Sequence, residues 1–148
     1  MLTSEMLTLI ANHPAGMVAT IDATGAPAVS PKATFVVPDP KTLAFGNIRS
    51  PGTVANLRAR PAVEVCFIDV LTRRAVRAAG TAEIIARADA DESLLSAFEA
   101  TWAPYLGMMS DFVRIDVARA ELVLSPAYDI GLTEAELRKT NLEKLQAL

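Results

Sequence analysis

Between Ala44 and Pro61 the chain reads AFGNIRSPGTVANLRARP, and the middle of that run gathers Asn47, Arg49, Ser50, Gly52 and Thr53. These residues offer a fixed guanidinium, two hydroxyls, a carboxamide, and a glycine that lets a ligand come close to the backbone. Ser50-Pro51 reads as a helix start, with a hydroxyl cap ahead of proline at the first helical position. A helix start exposes unpaired N–H groups and the positive end of the helix dipole, so anions are favoured there. The run therefore has the chemistry of a phosphate site built without a P-loop. A capping serine beside a solvated arginine would leave the same local pattern. Lys32 follows AVSP on a β-prone stretch where strand propensity does not call for lysine. If the strands on either side of PDPKT pair as a hairpin, Lys32 lies near the same junction.

The elements that must hold these groups follow from patterning. Thr3 or Ser4 caps a first helix that ends near His13-Pro14. GMVATID reads as a strand, ATGA as a turn with Gly25 suited to positive φ, and Ala26 to Val37 as a second strand. Pro31 places that second strand at an edge or bulge, because proline cannot donate to a ladder. Leu43 to Phe45 is a third strand, the Ser50 helix closes at Arg60-Pro61, and AVEVCFIDV is strongly β-prone. AVRAAGTAEIIA makes another strand, in which Gly80 marks a bend or a close backbone approach. Asp89 with Glu92 predicts a capped helix carrying Leu94, Leu95, Phe98 and Trp102 at helical spacing. DFVRIDVARAELVL returns to strand, and Thr133 with Glu136 opens a last helix. Short turns between successive strands predict antiparallel β structure flanked by helices, in one domain spanning 1–148.

Composition excludes several classes. The formal net charge of −3 offers no basic field for nucleic acid, and no cation run suggests a membrane surface. The longest weakly charged stretch, Met6 to Ile21, is interrupted by Asn12, His13, Pro14 and Gly16, so no membrane span is expected. No basic and apolar leader is apparent, and Cys66 and His13 are each alone of their kind, so the chain reads as cytoplasmic, free of disulfides and without a metal site. With one histidine and no nucleophile elbow there is no hydrolase triad. His13 at a helix end reads as a C-terminal cap, Cys66 as a small core or interface residue, and Trp102 and Tyr105 as packing residues. No catalytic side chain is assigned, and any catalysis belongs to a cofactor.

The run GAPAVSPKATFVVPDPKTLAFGNIRSPGTVANLRARPAVEVCFID, extended by GTAE at Gly80 to Glu83, resembles the FMN-binding split-barrel family that includes pyridoxamine 5′-phosphate oxidase. The resemblance implies a six-stranded antiparallel split β-barrel with flanking helices, mainly β in content. It also implies a homodimer with FMN between the subunits. In that pattern the second strand meets the flavin through Val29, Ser30, Pro31 and Lys32. The strand–helix junction holds the phosphate through Asn47, Arg49, Ser50 and Thr53. Small FMN-binding members carry Thr-x-x-Asn at this helix start, matched by Thr53 and Asn56. Three features depart from the oxidases proper. Pro51 and Gly52 stand where the phosphate loop has Arg-Lys, Ala75 stands for a flavin-contacting glutamine, and LTEAELRKTNLEKLQAL lacks the substrate-binding Trp and Arg. These departures argue against pyridoxal-phosphate synthesis and leave FMN binding intact.

Two functions fit the resemblance. One is an FMN-dependent oxidoreductase that takes electrons from a reduced nicotinamide or another donor, with Lys32 stabilising charge on the reduced flavin. The other is a non-catalytic FMN-binding electron carrier. The apolar residues on both faces of AVEVCFIDV call for a covering partner, and an identical subunit is the expected one.

Overall fold

The computed structural model describes residues 1–148. One seven-stranded antiparallel sheet carries the fold, in the order β2-β1-β5-β6-β7-β4-β3. The strands are β1 (Gly16–Ile21), β2 (Pro27–Lys32), β3 (Phe35–Asp39), β4 (Thr42–Asn47), β5 (Ala62–Asp69), β6 (Arg74–Ala86) and β7 (Asp111–Leu124). Four helices flank them: α1 (Ser4–Asn12), α2 (Pro51–Ala59), α3 (Glu92–Leu106) and α4 (Glu134–Gln146).

The seventh strand arises because Ala26 to Val37 is not one strand. It breaks at Ala33-Thr34 into β2 and β3, which pair with different neighbours, β1 and β4. These two strands are the opposite edges of the sheet, yet only Ala33 and Thr34 separate them in sequence. Three residue steps reach at most about 11 Å, so the sheet must curl until its edges nearly meet. No ladder joins β2 to β3, and the result is a barrel with an open seam, a split barrel. Pro31 sits on the edge strand β2, as its missing donor requires.

Inside the barrel, Phe35, Phe45 and Phe67 pack together, with the Phe35 and Phe67 rings edge-to-face at 4.8 Å. Alternation places Val63, Val65 and Phe67 of β5 inward, while Ala62 and Ile68 stay exposed on the outside. α1 closes one end of this core with Met6, Leu9 and Ile10. A separate core lies outside the barrel, where Leu94 and Phe98 of α3 pack on Val36, Ala44 and Phe112. Asp91, not Asp89, caps α3 by accepting from the Leu94 N–H, because Asp89 belongs to a preceding 3-10 turn. Gly80 marks a register shift between β6 and β7, and a Cβ there would lie 2.0 Å from the Asp116 carbonyl oxygen. No helix is long and apolar enough to cross a membrane.

Candidate functional site

The seam leaves a hollow of ≈ 280 Å³ where the end of β2 faces the start of α2. Val29, Ser30 and Lys32 line it from β2, while Arg49, Ser50, Thr53 and Asn56 line it from the α2 side. Seven sequence-predicted residues therefore meet across the barrel opening. The expected hairpin around PDPKT forms between β3 and β4, but Lys32 lies before the break, on β2, which pairs with β1. Lys32 reaches the junction across the seam.

The site is rich in donors that the fold leaves unused. Pro51 has no N–H, and Val54 N–H bonds the Ser50 carbonyl at 3.0 Å, so the N–H groups of Gly52 and Thr53 lack helical acceptors. Ser50 is the capping position, yet its φ of −139° and ψ of 52° leave its hydroxyl making no cap hydrogen bond. The expected hydroxyl cap is therefore absent, and Ser50 and Thr53 line the hollow as buried residues. Space opens beyond the Cα of Gly52, so a ligand can approach the backbone there.

Charge follows the same pattern. Arg49 alone among the arginines makes neither an ion pair nor a hydrogen bond to the protein; the others are held by carboxylates, carbonyls or Asn141. Lys32 donates only to Ser30 Oγ, at 2.6 Å, and burial lowers its pKa below the ordinary lysine value. No aspartate or glutamate lines the hollow. Two uncompensated cations beside a helix N-terminus create a pronounced local attraction for an anion.

The remaining predicted residues are placed otherwise. Pro31 lies in the adjoining hollow along the seam. Asn47 does not line the cleft; its amide donates to Asp111 at 2.8 Å and so ties β4 to β7. Asn56 does line it, but its Nδ2 donates to Thr20 Oγ1 at 3.0 Å, which anchors α2 to β1. Sequence reasoning missed Thr20. Its signal was a polar residue at an inward position of β1, in register with Val18. Ala75 sits on the outer sheet opposite Ile68 and Val123.

A second polar hollow, of ≈ 470 Å³, lies between α1, the β5–β6 turn and α4. His13 caps α1 through its backbone N–H to the Leu9 carbonyl, and its Nε2 stands 3.5 Å from Asp69 Oδ2. Burial pushes the Asp69 pKa up. Hydrogen bonds from the Thr72 hydroxyl and from the Thr72 and Leu71 N–H groups, with the His13 charge, outweigh that effect and hold it below the ordinary value.

The family described as pyridoxamine 5′-phosphate oxidase matches residues 2–128. Among solved structures, HupZ of Group A Streptococcus is 30% identical and superposes with a TM-score of 0.73, covering 84% of this chain and 96% of its own. A candidate pyridoxamine 5′-phosphate oxidase of Lactobacillus delbrueckii is 27% identical, with a TM-score of 0.66 and coverage of 81% and 93% respectively. An F420 reductase, 20% identical with a TM-score of 0.55 and coverage of 72% and 88%, shares the fold. No curated protein matches the chain.

Proposed function

This chain belongs to the pyridoxamine 5′-phosphate oxidase family, and on that premise we propose that its cleft holds FMN and that the protein is an FMN-dependent oxidoreductase. The observation that carries the reading is the seam cleft itself, where Arg49 and Lys32 face a helix N-terminus with no carboxylate among the lining residues. The phosphate of FMN is a dianion with acceptor oxygens only, which this donor set suits. Arg49, the Ser50 and Thr53 hydroxyls and the N–H groups of Gly52 and Thr53 bind the phosphate. Lys32, from the opposite edge, stabilises negative charge that builds on the ring system. Bound FMN supplies the electron or hydride transfer that no side chain here provides.

The test begins with colour. Purified protein incubated with FMN and desalted is expected to stay yellow and to melt at higher temperature as FMN rises. Protein that comes through colourless, with an unchanged melting temperature, refutes the reading. One observation favours the second reading, a non-catalytic FMN-binding carrier: no carboxylate, imidazole or thiol lines the cleft, leaving Lys32 as its one candidate proton donor of the usual acid–base types. Turnover with a reduced nicotinamide and simple acceptors separates the two, since a carrier retains FMN without turning over.

A homodimer is part of the same proposal. Met17, Ile68 and Val29 are 50%, 51% and 64% exposed on or beside the outer face of β1, β5 and β2. Among them lies a quartet of paired charges, Glu64, Arg77, Arg119 and Glu121. An apolar face with internally neutralised charges suits burial against an identical surface, and two-fold symmetry would give two equivalent clefts. Light scattering that finds a monomer with FMN fully bound would remove the partner from the site.

A further inference from the structure

Between α1 and α3 the molecule leaves a hollow of ≈ 510 Å³ that shares no lining residue with the seam cleft. Its place follows from alternation along β3. Phe35 turns into the barrel core and Val36 into the outer core under α3, so the two cores diverge at this strand and a gap stays between the helices that cover them. Buried Ile10, Phe35 and Val36 form the floor, while Leu7, Val37 and Trp102 stand half-buried on the sides. Ala11 of α1 and Thr101 of α3 are exposed at the mouth. No charged side chain lines the hollow.

The Trp102 wall is held in place. Pro104 interrupts α3, and Trp102 itself leaves helical geometry at φ −126° and ψ 25°. In that position its indole Nε1–H donates to the Phe35 carbonyl at 2.8 Å. The same bond decides what can enter. β3 is an edge of the sheet, and an open edge ordinarily invites a guest strand. Here the Phe35 acceptor is already taken and Pro38 offers no N–H, so an added strand would find too few partners. A flat protein face, a second copy of this chain included, would touch the rim and leave the floor unfilled.

We infer that this hollow is a binding site for a neutral, apolar small molecule of one or two rings, packed against Trp102, with room for one hydrogen bond to the Thr101 hydroxyl. Small-molecule pockets run to about 300–1,000 Å³ and are mostly apolar with a few polar groups, which describes this one. The walls select the class. A carboxylate or ammonium would lose its water and gain no counter-charge. A sugar would bring more hydroxyls than a lone threonine can satisfy, because the Trp102 N–H is spent on Phe35.

The probe is N-phenylnaphthylamine, followed by its fluorescence on the whole chain. Saturable binding at one site per chain is expected, and anilinonaphthalene sulfonate, the same ring system with a negative charge, should bind at least about tenfold more weakly. Ala11→Phe and Thr101→Phe fill the mouth from exposed positions on different helices. Each should weaken the neutral probe at least about tenfold, whereas Ala11→Ser should hold it within about twofold. Trp102 is the only tryptophan of the chain, so its indole N–H gives one NMR cross-peak, which should move as the neutral probe fills the hollow. That readout uses the unaltered chain and stands even if a variant fails to fold. Absence of saturable binding overturns the inference, as does a cross-peak that stays put or binding that survives both phenylalanine variants. Displacement of the probe by FMN overturns it too, since the probe would then occupy the seam cleft.

Discussion

Two polar clefts on this barrel each present two cations, and they differ in what those cations already hold. Beside α4, Arg74 is gripped by Glu5 and Glu134, and Arg138 lies 3.5 Å from Glu134 and 3.8 Å from Asp69. His13 adds a second approach to Asp69. At the seam, Arg49 holds nothing and Lys32 holds only a hydroxyl. The first cleft is internally neutralised and joins the two terminal helices to the sheet. The second is charged and unmet: Arg49 is exposed and Lys32 half-buried, so a ligand there meets two cations that no protein carboxylate has neutralised. Counting cations would rank the clefts equal; tracing partners separates a joint from a binding site.

That contrast can be broken first at Arg49. Arg49→Ala is expected to weaken FMN binding by about 1.5–3 kcal/mol, the range for hydrogen bonds to charged groups, with the melting temperature of the apoprotein unchanged. Equilibrium titration checks it, and unaltered FMN affinity removes Arg49 from the site. Asp69→Ala should do the reverse. It strands the Thr72 hydroxyl and two N–H groups, so stability should fall by about 1–3 kcal/mol in denaturant melts while FMN affinity holds. The same carboxylate sets an acid limit. Its folded pKa lies below the ordinary aspartate value, so its contribution is present above that ordinary value and is lost as pH falls through the folded one. Asp69→Ala should lack this acid-sensitive component.

A smaller effect belongs to Lys32, whose pKa burial lowers from 10.5. Its cation is present at neutral pH and is lost as pH rises toward that value, earlier than for a free lysine. FMN affinity should therefore decline on the alkaline side, and Lys32→Arg should abolish the decline. Arg138→Ala should be the mildest, costing under about 1 kcal/mol in melts, since both Arg138 and Glu134 are half exposed. A larger loss would mean that the α4 cleft depends on its ion pairs more than surface pairs usually allow.

Much of this was legible in local chemistry. Pro51 at the first helical position announces α2 even though the Ser50 hydroxyl does not cap it, Thr133 with Glu136 forms a true capping box, and Pro31 marks an edge, because caps and missing donors act within a few residues. The break at Ala33-Thr34 was not legible. Both flanking segments are β-prone, and only the closure of the whole sheet sends them to opposite edges. For the same reason Lys32 was expected on the hairpin around PDPKT; that hairpin forms between β3 and β4, but the break leaves Lys32 on β2. The bond that ties Asn47 was not legible either, because its partner, Asp111, lies 64 residues away on β7. Arg49's isolation could not be read from sequence either, since it is a statement about where every carboxylate ends up.

The link of Ala33 and Thr34 has a consequence for how the seam cleft behaves over time. Strand edges that share no hydrogen bonds would ordinarily drift apart, and groups on them would meet only at their bulk encounter frequency. A tether of two residues instead keeps Lys32 and Arg49 at high effective concentration without a single ladder bond between β2 and β3. The opening can therefore stay unpaired, able to admit a guest along its whole length, while its width is limited by covalent chain. Preorganisation here comes from connectivity, so the two banks need no re-forming of sheet structure when a ligand leaves.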